Sequence, residues 1–463
     1  MNKLCSFFII SLFLISCEKT EAIEEVQKEN PIEIPVEETP TTVINTGDVT
    51  DISVYNSKPY FQDNAGYTGS DFINLPSDRN ITFVHIDGKS DTEELEKIID
   101  ELTSKGGGNI TIKTGKYAFR DVLLKSNVHI TIESGTEIRL EKQNEGKNAK
   151  NGWRYFFSLS GKEVGKPLEN VTIIGLGSPT TRPKLIVEKF YETWGNTFCR
   201  AISLGYVKNA LIENFSIVDD YTLGAAIAFN PVDINEDGET AQIAENVTIA
   251  NVSLTKGSIG YGLVQTNVGK NILLKNLSSQ GGMTCRIEAH TGRQYDLGLD
   301  NIVIKNVASI HGKAAVLLQP HSVLNGRILV DMAKSEGSSW TLFIKEGFVG
   351  SDSKRRAKGS FASTSKFTNI SMVSTDDTAT LSYKNYSFIP SNLKPLYKEP
   401  NFVYIPEDSN HKIDNGTPGK ESPIVGPSVA VIYIDASYSL LLPEEKDLII
   451  SGQTENRLKI FKR

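Results

Sequence analysis

The segment Gly281-Gly-Met-Thr-Cys-Arg-Ile-Glu-Ala-His290 places three groups able to move protons or hold anions at alternate positions: Arg286, Glu288 and His290, with Cys285, Ile287 and Ala289 between them. In an extended strand alternate side chains point to opposite faces. The spacing therefore puts the guanidinium, the carboxylate and the imidazole on one exposed face and the small or apolar groups in a core. Same-face neighbours lie about 6.6–6.8 Å apart along a strand, nearer the roughly 6.5–9.5 Å that an inverting glycosidase leaves between its two carboxyl groups than the shorter retaining distance. Gln265 in Gly262-Leu-Val-Gln-Thr266, and Gln319 and His321 in Leu317-Leu-Gln-Pro-His321, extend the set on both sides. On such a face a Gln could hold a water, Glu288 could protonate a leaving oxygen, and His290 or His321 could take the proton of the water. Arg286 could grip a sulfate or carboxylate bidentately, with Gln319 and Arg293 as further substrate-binding candidates. The bland alternative is a solvated polar face without chemistry, since exposed charges on strands are common. An Arg, a Glu and two His gathered together are less so.

These residues become neighbours only if the chain stacks, and a repeat says that it does. Asn-x-x-(Ile/Leu)-x-Asn followed by an apolar residue occurs four times: Asn209-Ala-Leu-Ile-Glu-Asn214-Phe215, Asn246-Val-Thr-Ile-Ala-Asn251-Val252, Asn271-Ile-Leu-Leu-Lys-Asn276-Leu277 and Asn301-Ile-Val-Ile-Lys-Asn306-Val307. Partial copies start at Asn127, Asn170 and Asn369. Within each copy the second and fourth positions are apolar, which is strand period, and the starts recur at a coil-sized interval rather than that of a hairpin. Asn tolerates the left-handed bend, and stacked Asn can bond to one another. The pattern predicts an all-β chain folded as a parallel β-helix, each coil lying about 4.8 Å above the last. The other reading is a β-sandwich with Asn-rich turns, against which the sparse helix signal counts. The one strong helix falls at 91–104, with Ser90 and Glu93 spaced as a capping box, Leu95, Ile98, Ile99 and Leu102 on one stripe, and Gly106-Gly107-Gly108 ending it. Standing before the strand pattern at 109–113, it reads as an N-terminal cap on the first coil.

The ends bound the class. Lys3, an apolar run over 7–15 and then Leu14-Ile15-Ser16-Cys17 read as an export signal over 1–17 with a lipobox, Cys17 being the lipidation site. The alternative is a plain secretory signal in which Cys17 is incidental. Both predict export, the first to the cell surface on the outer membrane. Residues 18–66, opening rich in Glu, Pro and Thr, predict a flexible tether, and 67–463 a solenoid domain, less regular after about 350, where Lys354-Arg355-Arg356 suggests a surface loop. The remaining cysteines, Cys199 and Cys285, are compatible with a disulfide or with two buried thiols. A net charge of −7 argues against a nucleic-acid partner, so an anionic substrate must be met by a local basic cleft.

With Gln265 one coil before the Arg-x-Glu-x-His segment and His321 one coil after it, the chain resembles the iota-carrageenases of glycoside hydrolase family 82. The resemblance covers about 71–350. It implies a secreted right-handed parallel β-helix that hydrolyses the β-1,4 bonds of a sulfated galactan with inversion, working as a monomer without a cofactor in the chemistry. Glu288 is then the general acid, Gln265 a water- or ion-holding group and His321 a third participant. One departure matters: the better-known members carry an Asp base two residues after the acid, where this chain has His290. A neutral imidazole can serve as base. Alternatively the base has moved, or the protein binds without cutting.

Asp233-Ile-Asn-Glu-Asp-Gly-Glu239 opens like a calcium loop, with Asp233, Asn235 and Asp237 as ligands, but Ala244 stands where the closing bidentate Glu belongs. A structural Ca2+ or Na+ and an ordinary acidic turn are the two readings. Asp219-Asp220 is similar to the paired Asp of polygalacturonases, whose Gly-His-Gly and Arg-Ile-Lys elements are absent. Three functions remain: a galactan hydrolase, a uronan hydrolase or calcium-dependent lyase on the same fold, and a noncatalytic glycan-binding surface protein.

Overall fold

Asparagine at both ends of each repeat turns the chain. In the computed structural model, Asn209, Asn214, Asn246, Asn251, Asn271, Asn276, Asn301 and Asn306 all have φ between 51° and 64°. A β-carbon makes this left-handed region costly for most residues, and Asn among the least reluctant to enter it. Each pair of bends lies within one long bent strand, Val207–Val218, Glu245–Thr255, Gly269–Gln280 or Leu299–Ile310, and these pair in parallel and in register, Ile212 on Ile249 on Leu274 on Ile304. Identical side chains then bond up the stack. Asn271 Nδ2 donates to Asn246 Oδ1 and Asn301 Nδ2 to Asn271 Oδ1, each at 2.8 Å, while Asn276 and Asn306 repeat the pattern at the other bend at 2.9 Å.

The fold is a parallel β-helix, described over residues 77–141, 152–187, 197–222, 224–399, 413–414, 417–418 and 422–463. The signal at 1–17 with Cys17 and the tether at 18–66 lie outside the described residues. One long sheet runs from Asn80–Phe83 through the repeat strands to Ile449–Gly452, and a ten-stranded sheet stands against it. In the latter, Ala225–Phe229, Gly262–Thr266, Met283–Glu288, Ala314–Gln319, Trp340–Ile344 and Ala430–Ile434 are successive neighbours. Ile227, Val264, Cys285, Val316, Leu342 and Ile432 form one inward row, fully buried.

The helix spans Asp91–Ser104, its first turn capped by Ser90 Oγ accepting from Glu93 N at 3.2 Å, with Leu95, Ile99 and Leu102 buried against the first coils. Its carboxylates also tie it down: Asp91 accepts from Ala118 N at 2.9 Å and Glu96 from Leu123 N at 3.1 Å. A strand that the sequence pattern did not announce, Asn80–Phe83, precedes this cap and pairs with Gly108–Ile112.

The expectation of a less regular end after about 350 needs amending. The stack resumes with Lys366–Ser374, Ala430–Ile434, Ile449–Gly452 and Leu458–Lys462. Between these strands lie irregular stretches, 345–365 among them, and the described residues of the excursion between 375 and 428 have a reason in packing. Its Leu381, Ile389, Leu393 and Ile424 cover outward-facing Met283, Leu317, Trp340, Phe343 and Tyr433, forming a second apolar cluster outside the β-helix. Those rings on a bare sheet would face water.

Candidate active site

The register builds the site. Gln265 lies beside Arg286, Glu288 beside Gln319, and the outward row continues from Arg286 through Leu317 to Phe343. The alternation read from the sequence holds, since Cys285, Ile287 and Ala289 are fully buried on the inner side. The expected exposure does not hold. Glu288 is 1% exposed, and Gln265 and His321 are nearly as enclosed, so only His290 remains open at the rim. The correction follows from the company Glu288 keeps: it points away from the core, but long side chains from the coils before and after close over it.

That company is mostly cationic or hydrogen-bond donating. Gln265 Nε2 donates to Glu288 Oε1 at 2.7 Å, and Arg286 Nε forms an ion pair with the same oxygen at 2.7 Å. His321 Nε2 stands 3.6 Å from Oε2, beyond hydrogen-bond reach. Burial alone would raise the pKa of Glu288, but Arg286, with His321 and His290, outweighs it and holds the carboxyl well below its usual range. In the free protein this group is ionised. Gln265 Oε1 is buried with no hydrogen-bond partner, an acceptor that a water or a substrate hydroxyl would satisfy.

His321 is oriented from behind. Arg293 Nη1 donates to its Nδ1 at 2.9 Å, and Arg293 Nε pairs with Asp352 at 2.7 Å, whose other oxygen accepts from Gln294 at 3.0 Å. Because Arg is always a donor, Nδ1 must accept, so a neutral His321 carries its proton on Nε2, facing Glu288. His321 itself takes φ 54° and packs at a tilt against Phe348, ring centroids 4.5 Å apart. The His290 ring lies 5.2 Å from that of His321. Burial lowers the pKa of both imidazoles, with Glu288 opposing, so both are neutral near neutral pH. Arg293, expected to bind substrate, is instead committed to Asp352 and His321, with a side chain only 12% exposed.

Beside Glu288 opens a cavity of about 270 Å3. Arg286 and Gln319 line it, as the sequence reading required of a basic cleft, and so do Lys313, Lys345 and Lys384, which that reading missed. Lys313 and Lys345 flank strands without belonging to any repeat, and Lys384 sits on the excursion. Only the register of the ten-stranded sheet could have grouped the first two.

Other expectations resolve into structure. Asp233 accepts from Gly238 N at 2.7 Å, Asp237 accepts from Glu239 N at 2.7 Å and Thr240 N at 2.9 Å, and Asn235 bonds Thr240 Oγ1 at 3.3 Å. The carboxylates are spent on their own exposed turn. Among the described residues no group of three or more His, Cys, Asp or Glu is placed to hold a metal ion. Asp219 is buried and accepts from Thr222 Oγ1 at 2.6 Å and Asp220 N at 2.8 Å, a structural turn. Cys199 and Cys285 are buried and lie three strands apart in one sheet, about 14 Å at sheet spacing and too far to bridge to each other.

No family profile matches the chain. An iota-carrageenase from Alteromonas macleodii is 29% identical over 295 residues, 61% of this chain and 56% of its own length. One from Zobellia galactanivorans is 30% identical over 281 residues, 60% of this chain and 53% of its own length. In sequence the chain is similar to these two iota-carrageenases. The match spans little more than half the length of either relative. In fold, the chain is similar to a solved iota-carrageenase complexed to iota-carrageenan fragments, with a TM-score of 0.67 at 22% identity, covering 87% of this chain and 95% of that one.

Proposed function

We propose that this protein is a glycoside hydrolase that cleaves the β-1,4 bonds of a sulfated galactan, iota-carrageenan, by single displacement with inversion. One observation carries the reading: a carboxylate on the outward row, gripped by Gln265 and Arg286, stands next to a cavity whose lining has four cationic side chains and no carboxylate. The curated relatives bear the same activity by name.

Glu288 acts as general acid and His290 as general base. The rim position of His290 gives it a neutral imidazole with access to water. The unsatisfied Gln265 Oε1 orients that water or a substrate hydroxyl. Glu288 needs a proton that Arg286 denies it in the free protein. A sulfate drawing on Arg286 weakens the ion pair, and protonation then costs less. His321, locked with Nε2–H toward Glu288 by Arg293 and Asp352, stabilises the carboxylate left after proton donation.

The test is release of new reducing ends from iota-carrageenan by the lipid-free protein, with NMR of the newly formed anomer. Inversion predicts the anomer opposite to the bond cleaved. Glu288→Gln should lower kcat by about 10³, within the usual range for loss of a general acid. A fully active variant removes that assignment.

The held-down carboxyl and the histidine at 290 favour one second reading, a noncatalytic glycan-binding protein. Saturable binding without product would establish it instead. From the sequence we also propose export and anchoring through Cys17 at the outer membrane, which lipid labelling of a Cys17→Ser protein would test.

A further inference from the structure

We infer that the cavity beside Glu288 is a subsite for one sulfate ester of the polysaccharide, and that Lys384 sets how strictly sulfation is required there. The inference rests on the hydrolase reading and specifies its substrate contact. Lys313 immediately precedes the strand Ala314–Gln319 and Lys345 immediately follows Trp340–Ile344, so the β-helix itself fixes two ammonium groups at the cavity. Lys384 comes from the turn Tyr383–Phe388 of the excursion, and Arg286 closes the set toward Glu288.

The aromatic floor makes the cations harder to hydrate. Lys313 Nζ lies 5.2 Å and Lys345 Nζ 5.9 Å from the centre of the Phe343 ring, and Lys345 Nζ 5.2 Å from that of Phe388. Lys313 is 5% exposed. Burial lowers the pKa of Lys345 against the pull of Asp435 and Glu288, and Lys384 and Arg286 push it further down. An anion entering the cavity meets cationic side chains from several segments at close range. A tetrahedral sulfate takes hydrogen bonds from several directions, matching ammonium groups from three separate segments, with the partly exposed Phe388 beside them for the sugar. The volume is slightly below that of small-molecule sites, about 300 Å3 at the lower end, so it fits a sulfate and part of its sugar rather than a chain. The excursion is the only source of Lys384, Asn385 and Phe388 in this lining, so covering the apolar rings of the late coils and walling the subsite are one device.

The experiment has two arms on the full chain. In the first, thermal stability is followed in low-millimolar sodium sulfate against sodium chloride at equal ionic strength, for wild type, Lys384→Gln and Lys345→Gln. Wild type should gain stability from sulfate and each variant should lose most of that gain; a general salting effect would act on all three alike. In the second, Lys384→Gln should raise KM for iota-carrageenan about tenfold with a smaller change in kcat, and should narrow the preference for the fully sulfated over a partly desulfated galactan. Equal sulfate stabilisation of all three proteins, or unchanged KM and preference, overturns the subsite even if the galactan is cut. Lysine-dependent sulfate binding in a protein that releases no reducing ends leaves the subsite standing and removes the hydrolase reading.

Discussion

The two sides of the same coils are built on opposite rules. On the long sheet like stacks on like: Asn301 on Asn271 on Asn246 at one bend, Asn306 on Asn276 on Asn251 at the other. On the ten-stranded sheet the outward row changes at every coil, from Ala228 to Gln265, Arg286, Leu317 and Phe343. A ladder of identical amides satisfies itself and has nothing left for a ligand. A row of unlike groups leaves partners unmatched, as Gln265 Oε1 is, and gathers different charges into one place. In a solenoid, chemistry is found where the vertical repeat fails.

Substitutions on the unlike row should therefore change activity and those on the like row stability alone. The largest effect after loss of Glu288 is expected from Arg286→Met. It removes both the partner of Glu288 and one wall of the cavity, and should lower kcat/KM about 100-fold, in line with truncating one member of a desolvated charge pair. The sign of its pH effect is the sharper reading. Arg286 holds the Glu288 pKa down, and without it the carboxyl keeps its proton to higher pH. The descending limb of kcat against pH, which reports the acid in the substrate complex, should move to higher pH, and an unmoved limb would detach Arg286 from the acid.

His290→Asp should act on the other limb, by less. The base works when unprotonated, and the His290 pKa lies below its ordinary value, so activity rises with pH through a region below about 6.5. An aspartate, ordinarily near 3.9, carries this limb to lower pH, while its negative charge raises the pKa of Glu288. We expect a few-fold gain in kcat/KM below pH 6. A pH profile indistinguishable from wild type would mean that His290 is not the base.

How much of this was legible follows from the same contrast. The coils, both bends, the helix at Asp91–Ser104 and the Gln265, Glu288, His321 neighbourhood could be read in advance, because a repeat states its own register and alternation assigns faces. The burial of Glu288 could not, since it depends on where Gln265, Arg286 and His321 direct their long side chains. Asp352 was invisible for another reason: it reaches Arg293 across 59 positions of sequence through a loop with no periodicity. Lys384 belongs to an excursion whose reason, the exposed rings of Trp340, Phe343 and Tyr433, exists only once the sheet is assembled. The run of Asp and Asn at 233–237 was ambiguous in sequence because such a run serves equally well to cap backbone N–H groups in a turn, as Asp233 and Asp237 do here.

The smallest effects test the like row, where the ladder itself has one flaw. In the coil Ile328–Glu336, the position stacked on Asn306 is Met332, which takes φ 55° and is 47% exposed. A methionine pays the left-handed penalty of about 1–2 kcal/mol without Asn's local hydrogen bonds and offers no amide to the bend above or below. One coil on, Asn369 turns to Asp331 instead, its Nδ2 donating to Oδ1 at 2.8 Å. Met332→Asn should therefore stabilise the fold by about 1 kcal/mol, and Asn276→Ala should destabilise it by about 1–2 kcal/mol through a lost rung and a strained β-carbon. Chemical denaturation with the slope held common measures both, and kcat and KM should stay at wild-type values in each. If Met332→Asn gains nothing while Asn276→Ala loses as expected, the Asn side chains matter for the bend and not for the bonds between coils, and Asn276→Gly, which relieves the bend but keeps no rung, should then be as stable as wild type.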